Sequence, residues 1–273
     1  MYSSAKDLTT LGLSILKSTL IRPALTRRWL KPTAFTSDPV AAVGAPWGIR
    51  RIRLGPETSR YRSITAFNKA GRFRWYTSLL VLLPDFDIGF TILGAGNYTA
   101  GLGFDFADII GASIVPAYDA AARDEAGRVY SGTYSSMSDL NSTLTITTDP
   151  SKPGLGIGPW ISNGTDMVDY GLRLQAGSDT AGNHSEVRLF YTGREVAKKD
   201  GSKRQAFKAV FEDTGYPGKD GRMFSTDCAS WLSVTGVSYG AKALDEFIFN
   251  VDATGKVVSL ENYALRSTLK KNS

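Results

Sequence analysis

Residues 62–96 read RSITAFNKAGRFRWYTSLLVLLPDFDIGFTILGAG, and the spacing of their short apolar runs decides the fold. RSITAFN (62–68) and TSLLVLL (77–83) have the length and residue types of strands. TSLLVLL is apolar on both faces, which places it in the middle of a sheet. IGFTIL (88–93) is a further strand, turned back antiparallel through the tight PDFD connection at 84–87. Upstream, in IRRIRL (49–54), Ile52 and Leu54 alternate with Arg51 and Arg53, the pattern of a half-buried strand. Such a four-stranded sheet needs helical cover on both sides to bury its faces.

The first cover is expected over residues 4–21. Ser4 is a candidate N-cap with Asp7 three residues on, a capping-box variant, and Leu8, Leu11, Ile15 and Leu16 make an apolar stripe at helical spacing. Pro23 ends that helix near Arg22, and PALTRRWL (23–30) reads as a short second one. The other cover is ADIIGASIVPAYDAAARDEA (107–126), whose Ile109, Ile110, Ile114, Ala117 and Ala121 suggest a helix with a bend before Pro116. From Gly127 the texture becomes strand and turn: GRVYSGTY, STLTITT, MVDYGLRL, EVRLFYTG, RQAFKAVFE, ASWLSV, EFIFNVD, GKVVSL and ALRSTL. In MVDYGLRL, Val168, Tyr170, Leu172 and Leu174 fall on one face of an alternating pattern; in FIFNV, Phe247, Phe249 and Val251 do. Runs this short and this regularly spaced indicate an antiparallel β-barrel or sandwich. The fold class is therefore α+β, with a helix-covered antiparallel sheet in 1–126 and an all-β domain in 127–273.

No run of about 18 apolar residues occurs, so no membrane span is expected. The start, MYSSAKDL, lacks a basic segment followed by an apolar one, so no signal peptide is expected. The net charge of +6 is uneven. Residues 1–75 carry 14 Lys and Arg against 3 Asp and Glu, a net +11, and the remainder carries 18 against 23, a net −5. The basic part has its aromatics inside strand-like runs and no recognition-helix, RNP or zinc-finger pattern, so no nucleic-acid partner is expected. Four glycosylation sequons, at Asn97, Asn141, Asn163 and Asn183, suit a secreted chain and sit uneasily with the missing leader; a chain that has lost its own N-terminus reconciles them.

Chemistry is narrowed by counting. With one histidine, His184 inside the polar loop SDTAGNHSE, a His-based triad or metal site is not expected, and Cys228 stands alone, so neither metal nor other cofactor is implied. No phosphate-binding glycine loop stands between a strand and a helix. The remaining nucleophile pattern is S-x-x-K, present as Ser3–Lys6, Ser14–Lys17 and Ser267–Lys270. Ser3 lies at the chain end, Ser14 on the polar face of the first helix and Ser267 on the last strand, none a setting for attack. Lys69 differs: a strand ending in lysine, then a small residue, then Gly71, before a central apolar strand, is the setting of a K-[TS]-G element. There the lysine brings positive charge to the substrate, the glycine admits it to the strand edge, and the next backbone N–H helps hold an oxyanion. The alternative is a solvent-facing lysine before a glycine turn.

Taken together, the chain resembles the β-lactamase-like serine hydrolases of the class C and penicillin-binding-protein type, in the form found in filamentous fungi. MYSSAKDLTTLGLSILKSTLIRPALTRRWLKP is similar to their late helical part, SDPVAAVGAPWGIRRIRL to the strand after it, and AFNKAGRFRWYTSLLVLLPDFDIGFTILGAG to their K-[TS]-G strand and hairpin. The stretch from VYSGTY through DCASWLSVTGVSYGAKALDEFIFNVD to ALRSTLKK looks like the all-β C-terminal domain appended to such enzymes. The resemblance implies a partial transpeptidase-like sheet in 1–126, with Lys69 as the motif lysine, Gly71 as its glycine and Arg72 offering only its backbone N–H. Ala70 stands where the family has Thr or Ser, so the hydroxyl is gone. The family's S-x-x-K and Y-x-N elements lie upstream of the MYSSA-like helix. The chain alone is thus expected to be inactive, meeting a small-molecule acyl substrate only together with that upstream part, and the full-length family is expected to be extracellular. A different reading makes 127–273 a non-catalytic binding module, with Tyr130, Tyr134, Trp160, Tyr170 and Trp231 around a cavity or, alternatively, in a core.

Overall fold

In a computed structural model, which describes residues 2–55, 62–97, 101–137, 141–176, 185–213, 231 and 234–272, Ser4 caps the first helix as its sequence suggests. The Asp7 N–H donates to the Ser4 hydroxyl at 3.1 Å, and that hydroxyl donates to the Asp7 carboxylate at 2.8 Å. The helix α1 (Ala5–Leu16) is shorter than expected and stops at Ser18, whose φ is +53°. Its buried side also differs. Gly12 and Ile15 face the sheet while Leu11 is 42% exposed, because a glycine lets the helix settle on Leu80 and Leu82. Pro23 opens α2 (Pro23–Trp29) at a position where no N–H is needed.

The strands that follow are β1 (Ala34–Phe35), β2 (Ala41–Val43), β3 (Gly48–Arg53), β4 (Ser63–Phe73), β5 (Tyr76–Leu83) and β6 (Ile88–Ala95). They form one antiparallel sheet in that order, with β1 and β2 added to the four strands read from sequence. The apolar run of β5 divides between two cores, as a central strand should. Leu80 and Leu82 join Ile15, Trp47, Ile49 and Phe67 on the α1 side. Leu79, Val81 and Leu83 join Ile64, Ala66 and Val115 on the other. Val115 belongs to α3 (Leu102–Tyr130), which begins before and ends after the expected 107–126 and keeps Pro116 inside it. The chain divides into two compact units, residues 1–122 and 123–273.

In the second unit the strands are β7 (Gly132–Ser135), β8 (Thr143–Thr147), β9 (Leu155–Ser162) and β10 (Thr165–Asp166). After α4 (Met167–Ala176) come β11 (Ser185–Ala197), β12 (Lys203–Asp213), the short pair β13 (Ser238–Tyr239) and β14 (Lys242–Ala243), then β15 (Glu246–Val251), β16 (Val257–Asn262) and β17 (Ser267–Lys271). Nine of these make an antiparallel sheet in the order β10-β9-β11-β12-β15-β16-β17-β7-β8, and an added β8–β9 pairing curls it into a partial ring. Phe247, Phe249 and Val251 point into its core as their alternation indicated, with Tyr134, Trp160 and Phe211. Each such large apolar side chain contributes about 2 kcal/mol by leaving water. Tyr134 and Trp160 are therefore core, while Trp231 is 49% exposed.

One expected strand is a helix. MVDYGLRL forms most of α4, whose first N–H groups at Val168 and Asp169 donate to the Asp166 carboxylate. Its buried residues, Met167, Gly171 and Leu172, fall at i, i+4 and i+5, and Arg173 pairs with Asp169 at i, i+4. The Val-Tyr of GRVYSGTY likewise belongs to the end of α3, and the strand starts at Gly132. The ASWLSV run lies outside the described residues apart from Trp231 and Val234. Among the described residues, no helix is long and apolar enough to cross a membrane.

Candidate active site

Lys69 does not end its strand; β4 continues to Phe73, and the turn after it is Arg74-Trp75 rather than Gly71. What ends at this point is the pairing on one side. β3 accompanies β4 only as far as the Gly48–Asn68 pair, so residues 69–73 are held by β5 alone. A two-residue turn closes on a pair that exchanges both backbone hydrogen bonds, here Phe73 with Tyr76. Bonding then alternates along the ladder. Gly71 and Lys69 bond to β5, and Arg72 and Ala70 turn their N–H and C=O outward. The Gly96 N–H donates to the Trp75 C=O at 2.9 Å on the far side of β5, which keeps the same alternation. Among the described residues no strand meets the outward groups, and the Lys69 ammonium donates to the Ala70 C=O at 2.5 Å.

The side chains of the triplet do not share a face. Lys69 and Gly71 follow Phe67 toward the α1 side, whereas Ala70 and Arg72 follow Ala66 toward the α3 side. Gly71 has a local reason for lacking a side chain, since a Cβ there would come within 2.7 Å of the Ser78 hydroxyl oxygen across the ladder. On the α3 side, Ala70 and Arg72 line a cleft of about 190 Å³ with Thr77, Leu79, Ile92 and Phe104. Sequence reading missed these wall residues. The two-residue turn alone would have placed Thr77 and Leu79 beside Arg72 and Ala70, but no sequence signal brings Phe104 there. Ala70 adds no hydroxyl to that wall, whose polar groups come from Arg72 and Thr77.

The S-x-x-K pairs are occupied elsewhere. The Ser14 hydroxyl donates to the Leu11 C=O at 2.7 Å, as helix serines do, and Lys17 forms an ion pair with Asp87. Ser3 precedes the α1 cap and is exposed, its hydroxyl turned to the Ser4 C=O. Ser267, the first residue of β17, pairs with Asn262 of β16. Of the sequon asparagines, Asn97, Asn141 and Asn163 are exposed. Asn183, His184 and Cys228 lie outside the described residues. Among the described residues no group of three or more His, Cys, Asp or Glu is placed to hold a metal.

Residues 122–273 match the protein family described as "Beta-lactamase-like-like, C-terminal domain". The chain is also similar along nearly all its length to three curated fungal proteins. It is 29% identical to the "Beta-lactamase-like protein" of Arthroderma benhamiae, over 98% of this chain and 48% of that one. It is 26% identical to "Probable hydrolase M10" of a Phoma species, over 99% and 45%, and 25% identical to "Probable hydrolase clz13" of Cochliobolus lunatus, over 99% and 44%. The chain thus spans about half the length of these relatives. A solved structure of SurE with D-Leu aligns at a TM-score of 0.29 and 14% identity, over 99% of this chain and 50% of that one, a likeness too weak to establish a shared fold. With more than half of its residues matched to the family's C-terminal domain, this chain belongs to the beta-lactamase-like family.

Proposed function

We propose that the chain supplies the lysine strand and the β-rich domain of a serine hydrolase that transfers acyl groups from amide or ester substrates, with the attacking serine contributed by polypeptide outside these residues. The observation that carries this reading is the open edge of β4 beside Lys69. Outward backbone groups of Ala70 and Arg72 stand where an acyl substrate can lie along the strand, and a cation sits next to them. In such a reaction the serine oxygen attacks the carbonyl, the amine or alcohol leaves with a proton, and water then releases the acyl group. Lys69 supplies positive charge for the proton network, and the Arg72 N–H donates to the oxyanion. The resting places of Ser3, Ser14 and Ser267 support an external nucleophile. The exposed sequon residues Asn97, Asn141 and Asn163 suit a secreted glycoprotein.

Intact-mass analysis after exposure to a fluorophosphonate and a fluorescent penicillin tests the first part. The chain alone should gain no adduct, and stoichiometric labelling of Ser3 or Ser14 would sink the reading. Joined behind the other half of the Arthroderma relative, it should hydrolyse an activated ester. Lys69→Ala should then lower kcat about a hundredfold, the usual scale for losing one such group. Unchanged kcat in that variant would remove Lys69 from the mechanism.

A further inference from the structure

The turn joining β9 to β10 is Asn163-Gly164, and nowhere else in the chain does glycine follow asparagine. Every other asparagine is followed by Lys, Tyr, Ser, His or Val. A glycine leaves its own backbone nitrogen open to the side chain before it, because no Cβ crowds the approach. Here the surroundings are open as well. Asn163 and Gly164 are exposed, and nothing lies within 4 Å of where a Gly164 Cβ would stand. The backbone, by contrast, is held. The Gly164 N–H donates to the Asn141 C=O at 2.9 Å, and the Asn163 N–H donates to the Ser142 hydroxyl at 2.9 Å. Both residues are left-handed, at φ +48° and +79°. Ser142 is 8% exposed, so water competes little for its hydroxyl. Thr165 and Asp166 follow at once, pairing with Ser162 and Ile161, and the Asp166 carboxylate caps α4.

We infer that Asn163 is a site of spontaneous covalent modification, its side chain cyclising onto the Gly164 nitrogen, and that the corner hydrogen bonds restrain this step in the folded chain. The Gly164 nitrogen gives up its proton and bonds to the side-chain carbonyl carbon of Asn163, and the bond from that carbon to Nδ2 breaks. The amide nitrogen leaves as ammonia, and no oxidant or reductant takes part. Water then opens the five-membered imide at either carbonyl, giving aspartate or isoaspartate. While the Gly164 N–H points at the Asn141 C=O, its nitrogen is kept in the turn and away from the Asn163 side chain. Opening of the corner is a local event whose free energy sets the rate. Isoaspartate lengthens the main chain by one carbon between Ser162 and Thr165, which disrupts the β9–β10 pairing and shifts the Asp166 cap of α4. Because Nδ2 is also the atom a glycan would take, the reaction belongs to the unglycosylated chain. The inference is independent of any role for Lys69.

Peptide mapping by mass spectrometry tests it on the full, unglycosylated 273-residue chain, kept in mildly alkaline buffer with and without guanidinium chloride. In denaturant, Asn163 should convert faster than any other asparagine, and isoaspartate should accompany aspartate in the product. In the folded chain its conversion should be about tenfold slower, the scale of two corner hydrogen bonds. Ser142→Ala removes one of those bonds. It should speed conversion severalfold in the folded chain and leave the rate in denaturant unchanged. Gly164→Ala should slow the reaction in denaturant, where the left-handed φ no longer matters. Equal rates for the unaltered chain with and without denaturant would overturn the restraint, and a product lacking isoaspartate would overturn the cyclisation. Conversion no faster at Asn163 than at the other asparagines would overturn the site itself. Should Ser142→Ala fail to fold, the comparison of the unaltered chain in the two buffers decides.

Discussion

Gly171 of α4 lies flat against the ring of Phe211 on β12. A Cβ built on Gly171 falls 2.2 Å from the ring's Cε1 and 2.7 Å from its Cζ. Phe211 is 1% exposed, so the ring has no room to retreat. Gly171→Ala should therefore lower the unfolding free energy by about 2 kcal/mol, overpacking outweighing the better helix propensity of alanine. Gly111, inside α3, has nothing within 4 Å of its virtual Cβ. Gly111→Ala should raise stability by about 0.5–1 kcal/mol. Urea unfolding of the two variants, one shifted down and the other up, checks both signs.

The same contact explains where sequence reading failed. Val168, Tyr170, Leu172 and Leu174 alternate as a strand would, and that pattern hides the local helix signals, the cap at Asp166 and the Asp169–Arg173 pair. The helix is set by the Asp166 cap and by a ring about forty positions downstream, and the ring is invisible to any local window. By contrast β5 and β15 were legible, because two-sided and alternating apolar runs dictate burial by themselves. Lys69 was placed on the right strand for the same reason. The open edge beside it was not legible, since where β3 stops pairing depends on register.

Arg188 is 4% exposed and serves as a brace. Its guanidinium donates to the C=O groups of Pro153 and Gly154, both at 2.8 Å, and of Lys152 at 3.3 Å, and it pairs with Glu186. Burial pulls its pKa down, and the Glu186 and Asp149 carboxylates oppose that shift. Arg188→Met would leave buried carbonyls without donors and should cost about 3 kcal/mol. Arg188→Lys should recover little, because an ammonium cannot span three carbonyls from one plane. Thermal unfolding of both variants measures the difference.

Alkali should loosen the second unit through its tyrosines. Burial, reinforced by Tyr191 and Glu195, pushes Tyr130 up to about 12, and its hydroxyl donates a hydrogen bond to Gln205 at 2.6 Å. Tyr134 is raised in the same direction, mainly by burial. An unfolded tyrosine gives up its proton near pH 10 while the folded Tyr130 keeps it, so the unfolded state binds fewer protons between about pH 10 and 12. Stability is full below pH 10 and falls across that window, by about 2 kcal/mol from Tyr130. Urea midpoints at pH 9 and pH 11 should differ accordingly, and Tyr130→Phe should flatten the slope. An equal slope in that variant would assign the effect to other groups.

Asn141 and Asn163 come together in one exposed corner. The Gly164 N–H donates to the Asn141 C=O at 2.9 Å, and the Asn163 N–H donates to the Ser142 hydroxyl at 2.9 Å. Asn163 has φ +48° and Gly164 φ +79°, a left-handed turn that asparagine tolerates and β-branched residues do not. Both side chains are exposed, as an acceptor must be. Passed through a secretory pathway behind a leader, the chain should carry N-glycans here. Asn141→Gln and Asn163→Gln should each remove one glycan from the intact mass. The unglycosylated protein separates the backbone role from the glycan. Asn163→Val should destabilise it by about 1–2 kcal/mol through the left-handed φ, whereas Asn141→Val, whose backbone role needs no particular side chain, should leave its unfolding midpoint nearly unchanged.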